Sequence, residues 1–291
     1  MSGALPPCET LTLAAHPQWL EIRLNRPRAR NAMSFQMVEE LSAVFSALGA
    51  DTQAVLIRGA GGHFCAGGDV RDMAAVLQQR KPSEGAEEES DPLVSANRRF
   101  GTLLSQLQRA PQFLLVALEG AVMGGGFGLA CVSDLALALP SAEFGMPEVT
   151  LGITPAQIAP FVVARIGLTA ARRLALMGQR IGAEEALRLG LIHELCADEA
   201  TLQEAIQRSL VAVSRCAPGA RAATKALLLE VGAPALEESL DRAAAGFAEA
   251  ARGPEGQAGM MAFISKQRAP WRAPWGEITA PGVPGGGEED G

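Results

Sequence analysis

"VMGGGFGLACVSD", residues 122–134, sets three consecutive glycines ahead of an apolar run. Glycine has no Cβ, so such a run lets backbone approach another chain segment or a ligand closely. The stretch follows "FLLVAL" at 113–118, a compact apolar run of strand length, and reads as the opening of a helix. Helix openings present unpaired N–H groups and the positive end of a dipole. Strand, glycine turn, helix is the grammar of an α/β fold with parallel strands.

Working outward, residues 11–13, 19–24, "AVLIR" at 54–58 and "LALAL" at 135–139 also read as strands. Between the second and third, "SFQMVEELSAVFSAL" (34–48) puts Met37, Leu41, Val44, Phe45 and Leu48 on one helical face, with Ser34 as its N-cap. Strand signals stop after about residue 154. From there "AQIAPFVVARIG", "TAARRLALMG", "GAEEALRLG" and the region from Asp198 to Ser265 read as amphipathic helices. The expected organisation is an α/β core over 1–197, a helical region over 198–270 and a flexible tail over 271–291. No exact internal repeat occurs. "QRKPSEGAEEESDP" (79–92) is too polar to order itself cheaply; it reads as a solvated loop, and by its position as a candidate lid.

Composition narrows the function classes. The chain has 291 residues, 48% of them hydrophobic and 20% charged, which fits a globular chain with a sizeable core. A net charge of −7 disfavours nucleic acid as a partner, since phosphate contacts need clustered Lys and Arg. No stretch reaches the length of a membrane span, so a membrane is not an expected partner either. Five scattered cysteines (Cys8, Cys65, Cys131, Cys196 and Cys216) contain no CxxC pair, and no signal-peptide pattern opens the chain. Reduced thiols in the cytoplasm are the expectation. His16 and His193 have no partners at ligand spacing, so no metal site is expected.

A second glycine cluster, "GAGGHFCAGGDVRDM" (59–73), follows the strand at 54–58. It lacks the spacing of a dinucleotide fingerprint and the GK[ST] of a phosphate loop. Alone it reads as a turn. With the 124–126 cluster it suggests two backbone donors aimed at one oxygen, the construction of an oxyanion hole for a thioester enolate.

Four blocks in order, "NRPRARNAM" (25–33), "HFCAGGDV" (63–70), "GAVMGGGFGLACVSD" (120–134) and "AEFGMPEVTLGITP" (142–155), resemble the crotonase, or enoyl-CoA hydratase/isomerase, superfamily. The resemblance implies a spiral of ββα repeats with C-terminal helices that build a homotrimer or homohexamer. It implies an acyl-CoA thioester as substrate, with coenzyme A entering as part of that substrate and no other cofactor. Carried over by position, the oxyanion donors are the N–H groups of Gly68 and Gly125. Backbone around Ala66, Asp69 and Val70 would meet the adenine, Arg28 and Arg71 the phosphates, and Phe263 and Lys266 the coenzyme near the chain's end.

The family's two-carboxylate hydratases place one Glu three residues after the middle glycine and a second twenty residues further on. Here the first position is Gly128 and the second is Glu148. Glu148 is therefore the expected acid and base. The implied activity is hydration of a branched, terpenoid-derived enoyl-CoA, with double-bond isomerisation by the same Glu148, or silent acyl-CoA binding, as alternatives. Hydrolase and dehalogenase branches use an Asp eight residues after the retained Glu, where this chain has Ala156. Glu119 is a possible substitute acid, Asp134 a structural partner and His63 a turn residue. Cys65, beside the site, is open to thiol reagents, but nothing about it supports a nucleophile.

Overall fold

The computed structural model describes residues 4–77, 92–231, 253–265 and 267–272. The main sheet begins with an antiparallel pair, β1 (Leu11–Ala15) and β2 (Trp19–Leu24). It continues in parallel through β3 (Ala54–Gly59), β4 (Phe113–Leu118), β6 (Leu135–Ala138) and β9 (Glu194–Leu195), in the order β1-β2-β3-β4-β6-β9. A second sheet holds β5 (Ala121–Met123), β7 (Glu143–Gly145) and β8 (Arg180–Gly182).

The two sheets are linked by a repeated step. β4 runs into β5 through a corner at Gly120, and β6 leads on to β7. One level earlier, β3 leads to Cys65, which pairs in parallel with Val122 of β5. Each level is thus a long strand, a corner and a short strand, and a helix follows: the spiral of ββα repeats that the resemblance implied. The corner needs glycine. Gly120 has φ +52°, and a Cβ there would stand 2.2 Å from the Gly62 carbonyl oxygen.

The central strands are buried on both faces, as parallel strands between helices must be. One face packs on α1 (Phe35–Ala47), α3 (Pro92–Arg109) and α4 (Gly125–Val132). On the other, Leu56, Leu115, Ala117 and Leu137 meet Leu202, Ala205, Ile206 and Leu210 of α7 (Glu199–Ser214). Burying a leucine or isoleucine contributes roughly 1.5–3 kcal/mol, so α7, which follows the sequence division at 197, is fastened to the core of its own chain. Among the described residues the remaining helices are α2 (Val70–Leu77), α5 (Ala159–Met177), α6 (Ala183–Arg188), α8 (Pro218–Glu230) and α9 (Pro254–Ile264). Ser34 caps α1, its hydroxyl accepting the Met37 N–H at 3.1 Å.

One expectation needs correction. Strands do not stop at 154: β8 and β9 lie beyond it. They are three and two residues long, too short for any period to register. The helices expected on either side of Gly167 are both present: the stretch α5 is broken there, with Gly167 at φ 75° and ψ 158°, outside the helical region. Of the expected lid at 79–92, residues 79–91 lie outside the described residues, as do residues 273–291 of the expected tail at 271–291 and Lys266.

Candidate active site

The site begins with the turn at 25–33. Asn31 is fully buried in the left-handed region at φ 55°. Its Oδ1 accepts the Arg26 N–H at 2.8 Å, and its Nδ2 donates to the carbonyls of Ala60 (2.8 Å) and His63 (2.7 Å). One side chain thereby joins this turn to the first glycine cluster. Arg26 adds an ion pair of 2.8 Å to Asp69. Burial works against the Asp69 charge, but the Arg26 bond, the Arg71 N–H and both arginine charges hold its carboxyl below the ordinary range.

These contacts orient Gly68. Met33 donates to the Gly67 carbonyl at 2.7 Å and accepts from the Asp69 N–H at 2.9 Å. In such a parallel bridge the N–H of the middle residue, here Gly68, points away from its partner strand. Gly125 is the first residue of α4, so its N–H has no helical acceptor. Both glycines line one cavity of about 210 Å³, together with Ala66, Asp69, Val70 and Glu148.

Glu148 is presented by the short 3-10 helix Pro147–Leu151. It is half-buried, and its Oε2 is buried without a hydrogen-bond partner. Burial raises its carboxyl above the ordinary range, with its own backbone N–H opposing that shift. A raised carboxyl is a stronger base when ionised and a proton donor nearer neutrality.

Gly128 has no room for an acid. A Cβ there would stand 2.6 Å from Ile158 Cγ2 and 3.3 Å from Leu104 Cδ1, so apolar side chains fill that position. Ala156 lines the same cavity.

The other expected residues are distributed less tidily. Arg28 is exposed on the 3-10 turn Pro27–Ala29, and Arg71 is exposed on α2; neither lines the cavity. Arg71 donates its backbone N–H to Asp69 Oδ1 at 3.0 Å. The Ala66 N–H is taken by the Arg30 carbonyl at 3.0 Å. Phe263 lies on α9. Glu119 is half-buried, away from the cavity lining. Asp134 accepts the Leu114 N–H at 2.7 Å and pairs with Lys225 at 2.5 Å, as a structural partner would.

His63 Nδ1 takes the Ala121 N–H at 3.1 Å, and His193 Nδ1 takes that of Ala136 at 2.9 Å. His16 stacks on Trp19. Cys65 corrects an expectation: it is fully buried, and burial pushes its thiol up to about 11, so it is neither accessible nor ionised for thiol reagents. All five cysteines are unpaired.

Sequence reasoning missed Asn31, Arg26, Phe100, Asn97, Gln157 and Ile158. The first two stood inside a quoted block, and an Asn in a turn is a recognisable left-handed candidate. The other four gave no local signal.

A spiral of ββα repeats with two glycines and one raised carboxyl in a shared cavity defines a crotonase-like protein. The chain belongs to the enoyl-CoA hydratase/isomerase family, whose model matches residues 18–274. It is similar to the crystal structure of an enoyl-CoA hydratase/isomerase from Marinobacter aquaeolei, at 53% identity and a TM-score of 0.88 over 91% of this chain and all of that one. AtuE of Pseudomonas aeruginosa is similar at 52% identity and a TM-score of 0.84, with the same coverage. A mevalonyl-coenzyme A hydratase of Beauveria bassiana is 34% identical over 142 residues, 47% of this chain and 48% of that protein. The chain spans about half the length of the curated relatives it matches. Among the described residues, no helix is long and apolar enough to cross a membrane.

Proposed function

We propose that this chain is an enoyl-CoA hydratase acting on a branched thioester of the isohexenylglutaconyl type. The observation that carries the reading is Glu148, a half-buried carboxyl raised by burial, sharing a cavity with the backbone of Gly68 and Gly125. The stretches 118–134 and 155–176 resemble isohexenylglutaconyl-CoA hydratase, which favours that substrate type.

In this reading ionised Glu148 takes a proton from water as the water oxygen bonds to Cβ. The electron pair of the double bond moves through Cα to the thioester oxygen, where the Gly68 and Gly125 N–H groups hold the enolate. Glu148 then returns the proton to Cα, the carbonyl re-forms, and one water has been added across the double bond. The steps are two proton transfers, one C–O bond formation and an electrostatic hold on the enolate, so coenzyme A takes part only as the substrate's handle. Backbone around Ala66, Asp69 and Val70 receives the adenine. Exposed Arg28 and Arg71 meet the phosphates, and Phe263 and Lys266 contact coenzyme A from a neighbouring subunit of a trimer or a dimer of trimers. The free thiols fit a cytoplasmic enzyme.

A second reading is double-bond isomerisation, which one carboxylate can perform by carrying a proton between two carbons. The filled space at Gly128 favours it, because a second acid is absent there. Absorbance at the conjugated enoyl-thioester band separates the two. Loss of the band from a 2-enoyl substrate supports hydration, and its gain from a 3-enoyl substrate supports isomerisation. No change with any enoyl thioester that binds would leave a silent binder and end both readings.

A further inference from the structure

The cavity wall given by α3 carries one polar residue among apolar ones: Asn97, between Ala96 and Phe100. Asn97 Oδ1 accepts a 2.9 Å hydrogen bond from Nε2 of Gln157, which lies sixty residues away on the segment joining the Glu148 turn to α5. Residue 101, one turn beyond Asn97, is glycine, and a Cβ there would stand 1.9 Å from Gln157 Oε1. Asn97 is exposed and Gln157 half-buried, so the pair stands where the cavity wall meets solvent.

Its chemistry is directional. With Oδ1 occupied, what Asn97 offers a ligand is Nδ2, a donor; among the described residues no acceptor takes it. Phe100 Cζ stands 3.3 Å from the point where a Gly125 Cβ would be, so the ring marks the thioester end. Asn97 precedes Phe100 by three residues, about 4.5 Å along a helix, within reach of an acyl chain that starts at Gly125.

We propose that Asn97, positioned by Gln157, is the specificity residue of the acyl pocket. It selects thioesters whose acyl chain carries an oxygen acceptor, a carboxylate above all, a few carbons from the thioester. The inference rests on the acyl-CoA reading given above but not on hydration as the reaction, so it is tested by binding.

The measurement is calorimetric affinity of the full chain for glutaryl-CoA and for the isostere that ends in an isopropyl group. The wild type should bind glutaryl-CoA roughly 10-fold more tightly, the size of one charge-assisted hydrogen bond. Asn97→Leu should bring the ratio of the two dissociation constants to one. Asn97→Asp keeps the shape but repels a carboxylate, and should reverse the ratio. Gln157→Leu should shrink it, because the Asn97 amide is then free to turn. Equal binding by the wild type, or a ratio unchanged in Asn97→Leu, overturns the proposal alone. Binding of neither thioester overturns it together with the acyl-CoA reading.

Discussion

Gly124 and Glu148 compete for the same space: a Cβ on residue 124 would stand 2.9 Å from Glu148 Oε1. Gly124 also sits at φ 47° and ψ −108°, which side chains avoid. The first of the three glycines therefore makes room for the carboxyl, while the second opens α4.

Gly124→Ala should accordingly displace Glu148 and strain the backbone together. We expect turnover to fall at least about 10-fold and stability by roughly 1–3 kcal/mol. Steady-state kinetics beside a thermal melt read both. A folded variant with unchanged turnover would show that the close approach has no catalytic consequence.

Glu148 also sets a pH dependence of stability. Its carboxyl is raised by burial in the folded state. The folded protein then holds that proton more tightly than the unfolded chain, so stability is lost as pH rises from the ordinary value through the raised one. Glu148→Gln removes this loss. The variant should melt above the wild type at about pH 8 and lose that advantage below about pH 4, the ordinary carboxyl range. A melting difference that stays constant across this window would contradict the burial account.

Gly128 offers a packing test. Gly128→Ala drives a methyl into Ile158 and Leu104 and should cost about 1–3 kcal/mol. Pairing it with Ile158→Ala should recover part of that cost, a coupling read by a double-mutant cycle of denaturant melts. Strict additivity would mean that the two residues do not meet.

Much of this was legible in the chain because it is local. Strand runs, the Ser34 cap and Glu148 in "MPEVT" each sit in one short window. What was not legible depends on distant partners. β5, β7, β8 and β9 are two or three residues long and exist because a neighbouring strand receives them. Asn97 reads as an ordinary polar residue on a helix until Gln157, sixty positions on, fixes its amide. Cys65 read as reactive because it stands beside the site in sequence, yet the fold covers it completely.

The join between α8 and the core gives a further test. Lys225 Nζ donates to the carbonyls of Ala110 (2.9 Å) and Gln112 (2.7 Å) besides pairing with Asp134. Lys225→Met keeps the stem and removes all three contacts, leaving a partly exposed Asp134 unpaired. We expect a loss of about 2–4 kcal/mol and faster hydrogen exchange along α8. Unchanged exchange there would mean that apolar packing alone holds the helix.

The central claim is that one carboxyl, Glu148, carries both proton transfers. It is tested most directly by the turnover of Glu148→Gln on the best enoyl-CoA substrate, measured beside the affinity of the variant for that thioester. General acid–base catalysis contributes about 100- to 10,000-fold per group, and here one group acts twice. The account predicts a fall in kcat toward the upper end of that range, with affinity nearly unchanged because Gln keeps the shape. Near-normal turnover in a folded Glu148→Gln variant would contradict it and move the proton chemistry to another residue.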